Sequence, residues 1–345
     1  MIRRDTPGGS SAPRDRDSVL PVGQILVGDV RTKLDELPAA SVDCIVTSPP
    51  YFRLRNYGHE DQIGLEDHVD AWVDELRLVA QGLHRVLKDS GSFWLNLGDT
   101  YARNVADGAR PKSLVLAPEK LATALVADGW ILRNKVIWAK TNPMPVSVRD
   151  RLSCTWEVLY FFTKQPSYHF DLDAIRVAHR TKRGGSRKGR GRSSDQTSRG
   201  GGRPSGRPQR AWSVPPHWRG PASGSNTGLD RLKALGLAGH PLGKNPGDVW
   251  QLPTASFRGA HHAVFPVALA ERPILATCPL GGVVLDPFLG SGSTAIAAEK
   301  HGRQWIGIEL NPEIAELAHG RIESERAKRD IGDSNSNSGD LPVAA

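Results

Sequence analysis

Residues 281–310 have the sequence GGVVLDPFLGSGSTAIAAEKHGRQWIGIEL, and this stretch decides the fold. An apolar run of strand type ends at Asp286, a Gly-rich turn follows, and a helix of small residues leads to a second apolar run that ends at Glu309. A strand, a crossover helix and a second strand form a βαβ unit, whose two strands are parallel. Parallel sheets are covered on both faces, so the stretch predicts an α/β fold.

The Gly-rich turn also predicts a ligand site. Glycines at the carboxyl end of a strand let a ligand approach the backbone, and the N–H groups of the following helix face it. An acid at the end of the next strand, here Glu309, can accept hydrogen bonds from ribose hydroxyls. A Walker phosphate loop is excluded because GSGST lacks the lysine of that motif. The spacing Gly290-x-Gly292-x-x-Ala295 does fit the dinucleotide fingerprint GxGxxA, so a nicotinamide-dependent oxidoreductase stays open at this point.

A second motif, Thr47-Ser48-Pro49-Pro50-Tyr51, ends another apolar run at 42–51. The Ser48 hydroxyl and the Pro49 carbonyl can accept hydrogen bonds from a planar exocyclic amine, while Tyr51 can stack on the ring that carries it. A proline-terminated strand with a surface tyrosine is the alternative interpretation of these residues.

The rest of the chain alternates strand and helix signals, which supports the same fold class. Apolar residues at helical spacing predict an amphipathic helix over 67–88, and shorter helices are predicted over 113–127 and 266–277. Further strands are predicted at 24–30, 92–99, 134–140 and 157–164. Two polar tails, residues 1–20 and 327–345, are expected to be disordered.

One segment makes the protein basic. The formal net charge is +8, yet residues 176–210 hold twelve Lys or Arg against a single acid, Asp195, so the other 310 residues sum to −3. The part from Arg180 to Arg210 contains eight Gly and almost no apolar residue, so we expect it to be disordered on its own. A solvated insertion without a function is one interpretation. The composition favours the other, a flexible arm that neutralises nucleic-acid phosphates.

Cysteine usage and hydropathy exclude several classes of protein. Cys44, Cys154 and Cys278 lie far apart with no CxxC, which argues against a disulfide scaffold, a zinc site and an iron–sulfur cluster, and we expect no metal. No stretch of 18 apolar residues exists to span a membrane. Residues 1–18 are charged and lack the apolar centre of a signal peptide, so we expect a cytoplasmic protein.

Taken together, the two motifs resemble the pair [DNS]PP[YF] and DPFxGSGT of the amino-methylating DNA methyltransferases, over nearly all of residues 24–326. TSPPY precedes DPFLGSGST by about 240 residues, which is the permuted order of the β group of that family. The resemblance implies a Rossmann-like α/β methyltransferase fold with an inserted target-recognition region. It also implies S-adenosyl-L-methionine as cofactor and double-stranded DNA as substrate. Permutation still allows both motif strands to lie side by side at the switch point of the sheet. In an oxidoreductase, by contrast, TSPPY would have no role.

The resemblance assigns roles to individual residues. The catalytic residues would be Ser48, Pro49, Pro50 and Tyr51. The cofactor-binding residues would be Asp29, Asp99, Phe265, Asp286, Phe288, Gly290, Ser291, Gly292, Ser293, Thr294 and Glu309. Some relatives carry an acid where Asn96 stands, so Asp99 is the nearest candidate in this chain to handle the proton that the target amine releases.

The resemblance also divides the chain. It predicts a catalytic half at 21–165, a target-recognition region at 166–250 with a disordered Arg/Gly-rich segment at 181–226, and a cofactor-binding half at 251–326. DNA contacts are expected from Arg183, Arg187, Lys188, Arg190, Arg192, Trp212 and Trp218. A restriction–modification system is implied, with a cognate endonuclease as functional partner.

The residue types restrict the atom that is methylated. Carbon-5 methylation needs a cysteine nucleophile on the catalytic loop, whereas Cys44 lies inside the strand before TSPPY. Methylation of an exocyclic amine needs no covalent intermediate. Within the family, Ser before Pro-Pro accompanies N4-cytosine more often than N6-adenine. N4-cytosine is therefore the prediction and N6-adenine the alternative, and a related enzyme acting on RNA or protein and a non-catalytic DNA-binding relative are the remaining alternatives.

Overall fold

The computed structural model describes residues 19–59, 61–179, 240–255 and 265–337. In this part of the chain eight strands form one sheet: β1 Gln24–Val27, β2 Val42–Thr47, β3 Leu87–Leu97, β4 Ile131–Lys140, β5 Trp156–Thr163, β6 Val249–Leu252, β7 Val283–Asp286 and β8 Gln304–Glu309. The helices described are α1 Val30–Asp35, α2 Val69–Val86, α3 Ala117–Ala127, α4 Val267–Thr277, α5 Ser293–Lys300 and α6 Pro312–Asn337. The mixed α/β architecture confirms the predicted fold class.

The sheet order brings the two sequence motifs together. The strands lie in the order β1-β8-β7-β2-β3-β5-β4-β6, and β5 runs antiparallel to both of its neighbours. Strand β2, which leads into TSPPY, is the parallel neighbour of β7, which leads into DPFLGSGST; Cys44 pairs with Val284 and Ile45 with Leu285. The prediction that the two motif strands lie side by side is confirmed, and both motifs follow the carboxyl ends of these strands.

Helices cover the sheet on both faces. The sequence of β2 is apolar because this central strand is buried on both of them. All six residues of β2 are buried. Ile45 packs into the core formed with α1, α2 and α3, whereas Cys44 and Val46 pack into the core formed with α4, α5 and α6. Full burial of each large aliphatic side chain contributes about 1.5–3 kcal/mol, so both faces of this strand hold it at the centre of the sheet.

Helix α2 confirms the predicted amphipathic helix. Its buried residues, among them Val69, Val73, Leu76 and Leu83, recur at helical spacing and face the first core. The strand predicted at 24–30 is shorter than expected and ends at Val27. Asp29 instead caps α1, a helix that the sequence analysis did not predict, because its side chain accepts a hydrogen bond from the Arg31 backbone N–H at 2.8 Å.

The predicted disorder of 327–345 is wrong for its first part, because α6 continues to Asn337. The helix packs Ala318 and Ile322 into the second core, and Arg329 reaches Glu299 on α5 at 2.7 Å. These contacts stabilise the end of the helix, although the polar composition of this segment by itself predicts disorder. The disorder predicted for 1–20 and for 181–226 falls almost wholly on residues outside the described part of the chain.

The chain divides into two compact units, residues 1–175 with 246–345 and residues 176–245. In the second unit the described residues lie at its two ends, where Val177 and Lys244 form an antiparallel bridge. The sheet and all helices named above belong to the first unit. Among the described residues no helix combines the length and the apolarity needed to cross a membrane.

Candidate active site

Two open clefts lie at the carboxyl ends of the central strands. The cleft that we call the first, of about 890 Å³, is lined by the Gly-rich turn and the end of β8. The second cleft, of about 1250 Å³, is lined by the TSPPY loop and the ends of β3, β4 and β5. Ser48, Tyr57 and Phe265 line both clefts. The two clefts therefore adjoin each other at these three residues.

Two side-chain hydrogen bonds, one to β7 and one from α2, hold the TSPPY loop in place. Thr47 Oγ1 donates a hydrogen bond to Asp286 Oδ1 at 2.6 Å, which ties the end of β2 to the end of β7. The Trp72 indole N–H of α2 donates to the Pro50 carbonyl at 3.0 Å. Proline carries no backbone N–H and cannot continue a strand. These side-chain hydrogen bonds therefore fix the loop in place of strand-to-strand backbone hydrogen bonds.

A chain of hydrogen bonds starts at Ser48 and runs along the second cleft. Ser48 Oγ donates to the Tyr51 hydroxyl at 3.1 Å, and this hydroxyl donates to Glu157 Oε2 at 2.7 Å. Lys140 Nζ donates to Glu157 Oε1 at 2.5 Å. Burial and the Glu157 carboxylate raise the pKa of Tyr51 well above its usual value, so the phenol stays protonated at neutral pH.

The Tyr51 ring lies against the end of β3 because residue 98 is glycine. A Cβ atom on Gly98 would lie 2.8 Å from Tyr51 Cε2, which is too close for a carbon–carbon contact. Asn96, two residues earlier, directs its side-chain oxygen towards Tyr51, since its amide group is held by the Val158 carbonyl at 3.0 Å. The sequence Asn96-Leu97-Gly98 thus positions an aromatic ring and an amide oxygen in the second cleft.

In the first cleft the carboxylate of Glu309 is fixed by the backbone. Its Oε2 accepts from the Gly290 N–H at 2.9 Å and its Oε1 accepts from the Asn311 N–H at 3.1 Å. Burial raises the pKa of Glu309 from its usual value, while these backbone bonds oppose the change. Asp29 also lines the cleft, and its carboxylate is paired with Arg31 at 2.7 Å, which lowers the pKa of Asp29.

The Gly-rich turn depends on two left-handed residues and one arginine. Gly290 has φ 52° and Gly292 has φ 83°, a region where a side chain is strained. A Cβ on Gly292 would also lie 3.1 Å from Ile322. Arg321 of α6 donates to the Ser291 carbonyl and hydroxyl, each at 2.8 Å, and so holds the turn from behind.

Most of the predicted site residues lie together. The predicted residues that line the first cleft are Asp29, Ser48, Pro50, Phe265, Phe288, Gly290, Ser291, Ser293 and Glu309. Those that line the second are Ser48, Pro49, Tyr51 and Phe265. The predicted DNA-binding residues Arg183, Arg187, Lys188, Arg190, Arg192, Trp212 and Trp218 lie outside the described part of the chain.

Four residues predicted to bind the cofactor line neither cleft: Asp99, Asp286, Gly292 and Thr294. Asp99 accepts from the backbone N–H groups of Leu116 and Ala117, at 3.1 and 3.2 Å, and so caps the start of α3. That Asp99 contacts the cofactor or takes the proton of the target stays a prediction. Thr294 Oγ1 donates to Asp286 Oδ2 at 2.6 Å beneath the turn, and this bond supports the turn.

Three residues that hold the site received no individual role from the sequence, although the family resemblance extends over the stretches that contain Lys140 and EVLYFF. Glu157 and Lys140 stand at the ends of the two strands that pair antiparallel beside β3, and Arg321 comes from α6. The motif that named Tyr51 carries no signal for its partner Glu157, which is 106 residues away in the chain. The sequence signal for Glu157 is its place as a carboxylate directly before the apolar run VLYFF, at the start of a buried strand.

A doubly covered α/β sheet with two adjoining clefts at the carboxyl ends of its central strands is suited to an enzyme that brings two ligands together. The sequence profile of the DNA methylase family, which comprises N6 and N4 methyltransferases, matches residues 42–320. The chain belongs to this DNA methylase family, and the predicted family resemblance is confirmed.

Individual relatives agree with this assignment. The Type II methyltransferase M.SfiI of Streptomyces fimbriatus is 33% identical over 83% of this chain and 88% of its own length. M.Cfr9I of Citrobacter freundii, also a Type II methyltransferase, is 34% identical over 86% of this chain and 87% of its own. The DNA adenine methyltransferase YhdJ of Escherichia coli K12 is 27% identical over 87% and 82%, respectively.

Solved structures share the fold. The cytosine-N4-specific PvuII DNA methyltransferase superposes with a TM-score of 0.58 at 18% identity, covering 89% of this chain and 91% of that one. The protein TTHA0409 of Thermus thermophilus, solved in complex with S-adenosyl-L-methionine, gives a TM-score of 0.51 at 25% identity, covering 87% and 95%. The predicted methyltransferase fold is thereby confirmed.

Proposed function

We propose that the protein transfers a methyl group from S-adenosyl-L-methionine to the exocyclic N4 amine of a cytosine that is flipped out of double-stranded DNA. The observation that carries this proposal is the meeting of the two clefts at Ser48. One cleft has the features of a cofactor site and the other those of a site for a planar amine, and a group can pass between ligands that meet in this way.

The first cleft fits the cofactor. Glu309, fixed by two backbone N–H groups, offers carboxylate lone pairs to the ribose hydroxyls. The left-handed Gly290 presents backbone without a side chain, which gives the methionine portion room. When bound, S-adenosyl-L-methionine supplies a methyl group on a positively charged sulfur. Asp29 and Phe288, which also line this cleft, complete the proposed set of contacts.

The second cleft fits a flipped base. Stacking on Tyr51 partly offsets the few kcal/mol needed to extract a base from the duplex. Ser48 Oγ gives its own proton to Tyr51, so its lone pairs remain available to accept from an amine. The Pro49 carbonyl and Asn96 Oδ1 are further acceptors in the same cleft.

The chain's acceptors would activate the amine. In a nucleobase the amine lone pair is delocalised into the ring and is a poor nucleophile. Ser48 Oγ and the Pro49 carbonyl, by accepting the two amine protons, favour a more tetrahedral nitrogen whose lone pair points towards the first cleft. They also stabilise the positive charge that develops on that nitrogen.

Binding of the DNA backbone is proposed for the basic segment. Its Arg and Lys residues, Arg183, Arg187, Lys188, Arg190 and Arg192 among them, have the charge and spacing to neutralise phosphates. Trp212 and Trp218 are proposed contacts nearer the bases. Relatives that are named Type II methyltransferases support the further proposal that a cognate endonuclease shares the recognition sequence.

Serine before Pro-Pro supports cytosine as the target. N6-adenine is the second candidate, because a relative similar over 87% of this chain is named a DNA adenine methyltransferase. Both bases present the same exocyclic amine to the same acceptors, so the choice depends on the rest of the second cleft.

The identity of the product tests the proposal. Unmethylated DNA is incubated with the protein and cofactor carrying a tritiated methyl group, digested to nucleosides and analysed by mass spectrometry. We expect N4-methyldeoxycytidine, and we expect Ser48→Ala to form little of it while the control Ser41→Ala, remote from both clefts, forms as much as the wild type. N6-methyldeoxyadenosine would overturn the base assignment, and label found in RNA or protein alone would overturn the substrate.

A further inference from the structure

The hydrogen-bond chain in the second cleft leads from the proposed reaction centre to a carboxylate. Its oxygens follow in the order Ser48 Oγ, Tyr51 hydroxyl and Glu157 Oε2, with separations of 3.1 and 2.7 Å. Each hydroxyl is a donor to the next oxygen, so all the O–H bonds point away from Ser48. Protons can move along such a chain by one short hop per bond.

Methyl transfer to an amine leaves a proton to be removed. The nitrogen gains a fourth bond and a positive charge, and the product is neutral only after one N–H bond breaks with its electron pair left on nitrogen. Asn96 lies near but cannot take this proton, because its amide is not basic. Asp99 caps α3 and lines neither cleft.

We propose that Glu157 is the terminal acceptor of this proton, and that Ser48 and Tyr51 relay it. The proposal rests on the function proposed above. As the N–H bond breaks, its proton passes to Ser48 Oγ, the Ser48 proton passes to the Tyr51 oxygen, and the Tyr51 proton passes to Glu157 Oε2. The two hydroxyls end neutral with one proton each, their O–H bonds now pointing back towards the amine, and Glu157 ends as a neutral acid. Glu157 is thus a positioning residue that acts through Tyr51.

The charged groups around Glu157 are compatible with this role. Lys140 Nζ donates to its other oxygen at 2.5 Å, so the carboxylate has a cationic partner on the side away from Tyr51. Tyr51 faces it as a neutral phenol, and Arg55, Tyr57 and Cys154 are the other titratable groups that line the second cleft. A ring amine that has just been methylated and carries a positive charge is a far stronger acid than a carboxylic acid. Transfer to Glu157 is therefore downhill even with Lys140 beside it.

Glu157 can also return the proton to solvent. Its side chain is 16% exposed and lines the open second cleft. A relay that ended at a sealed carboxyl could work only once. Here Glu157 can lose its proton to solvent, and the two hydroxyls can turn back to their starting direction when the product leaves.

The test measures the single-turnover rate of methyl transfer at saturating DNA and cofactor across a range of pH. Glu157→Gln keeps an oxygen that can accept from Tyr51 but removes the basic oxygen, so we expect a rate about 10²-fold lower, the scale of general-base catalysis. Affinity for cofactor and DNA should stay at the wild-type value. The wild-type rate should fall at acid pH, and the variant should lack this dependence. Glu157→Asp should restore part of the rate.

Glu119→Gln is the matched control, because Glu119 also pairs with a lysine of β4, Lys135, at 2.5 Å but lines neither cleft. Tyr51→Phe breaks the relay at its middle oxygen and keeps the ring, so it tests the proposal even if Glu157→Gln fails to fold. Loss of rate in Tyr51→Phe, with no further loss in the double variant, is the expected result.

Three outcomes would overturn the relay: a wild-type rate and pH profile in Glu157→Gln, a wild-type rate in Tyr51→Phe, or losses that multiply in the double variant. They differ from failure of the proposed function, in which the wild-type protein itself labels no DNA base. That result would remove the relay as well.

Discussion

Replacing Asp286 by Asn should stabilise the protein at neutral pH. Asp286 is 1% exposed, and its carboxylate accepts from the Thr47 hydroxyl, the Thr294 hydroxyl and the Phe288 N–H at 2.6, 2.6 and 3.1 Å. Burial raises the pKa of Asp286 from 3.8 to about 6 despite these three donors. The folded protein therefore carries an ionised group at pH 7 that it would hold more easily as a neutral one.

The magnitude follows from the two pKa values. Raising the pKa from 3.8 in the unfolded chain to about 6 in the fold is worth about 3 kcal/mol, at about 1.4 kcal/mol per pH unit. Because the folded-state pKa is the higher one, this stability is fully present below pH 3.8 and is lost as the pH rises through about 6. Roughly half of the loss, about 1.5 kcal/mol, falls between about pH 5 and pH 7.5.

Asparagine preserves the hydrogen bonds at this site. Its oxygen can accept from Thr47 and Phe288, and its amide can donate to the Thr294 oxygen, whose own hydroxyl lies 3.4 Å from the Val46 carbonyl. No buried donor is left without a partner, so the variant should not incur the 1–3 kcal/mol cost of an unsatisfied group.

Urea unfolding of the wild type and Asp286→Asn between about pH 5 and pH 8 measures the effect. The stability advantage of the variant should grow by about 1.5 kcal/mol up to about pH 7.5 and then level off. Asp67→Asn, which replaces an exposed carboxylate paired with Arg53, is measured alongside as the control. An Asp286→Asn protein that is less stable than the wild type at pH 7.5, or whose difference is independent of pH, would refute the reasoning.

The other predictions concern the proposed function. Glu309→Ala should weaken cofactor binding, measured by calorimetry, by about 1.5–3 kcal/mol, because charged hydrogen bonds to the ribose are lost; the exposed Glu316→Ala is the control. Ser48→Ala should lower the single-turnover transfer rate by roughly 10²-fold with cofactor affinity nearly unchanged, since its interaction is made mainly in the transition state. Deleting residues 181–210 should weaken DNA binding for all sequences and flatten the dependence of log affinity on log salt, with site preference retained. Unchanged cofactor affinity in Glu309→Ala, an unchanged transfer rate in Ser48→Ala or an unchanged salt slope in the deletion variant would contradict these expectations.

The TSPPY and DPFLGSGST motifs of the site could be predicted because each is a short local pattern in the sequence. TSPPY and DPFLGSGST each follow a short apolar run, and such runs are buried central strands whose carboxyl ends share one edge of a parallel sheet. Prolines and glycines then mark where each strand must stop. Adjacent placement of β2 and β7 follows from these rules and from the family resemblance without any knowledge of distances.

The partners of the motif residues could not be predicted in the same way. Glu157 reaches Tyr51 because β5 runs antiparallel beside β3 and places Val158 opposite Leu97, a register that no local pattern reports. Asp99 was the nearest acid in sequence, yet it turns away to cap α3. Helix α6 likewise pairs Arg329 with Glu299 on α5, a contact between elements that composition does not record.

Glu157, at the end of the relay, also sets the direction of the hydrogen bond that Ser48 makes at its start. A hydroxyl can donate one proton, and Ser48 gives its proton to Tyr51 because Tyr51 gives its own to a carboxylate that can only accept. If Tyr51 donated to Ser48 instead, the serine proton would point into the cleft and would oppose the amine rather than accept from it. Glu157 therefore acts before any proton moves, since an acceptor at the far end of the chain is what leaves the Ser48 lone pairs facing the target. Glu157→Gln keeps the polarity only while its side-chain oxygen faces Tyr51, and in that orientation it loses rate rather than affinity because the basic oxygen is gone.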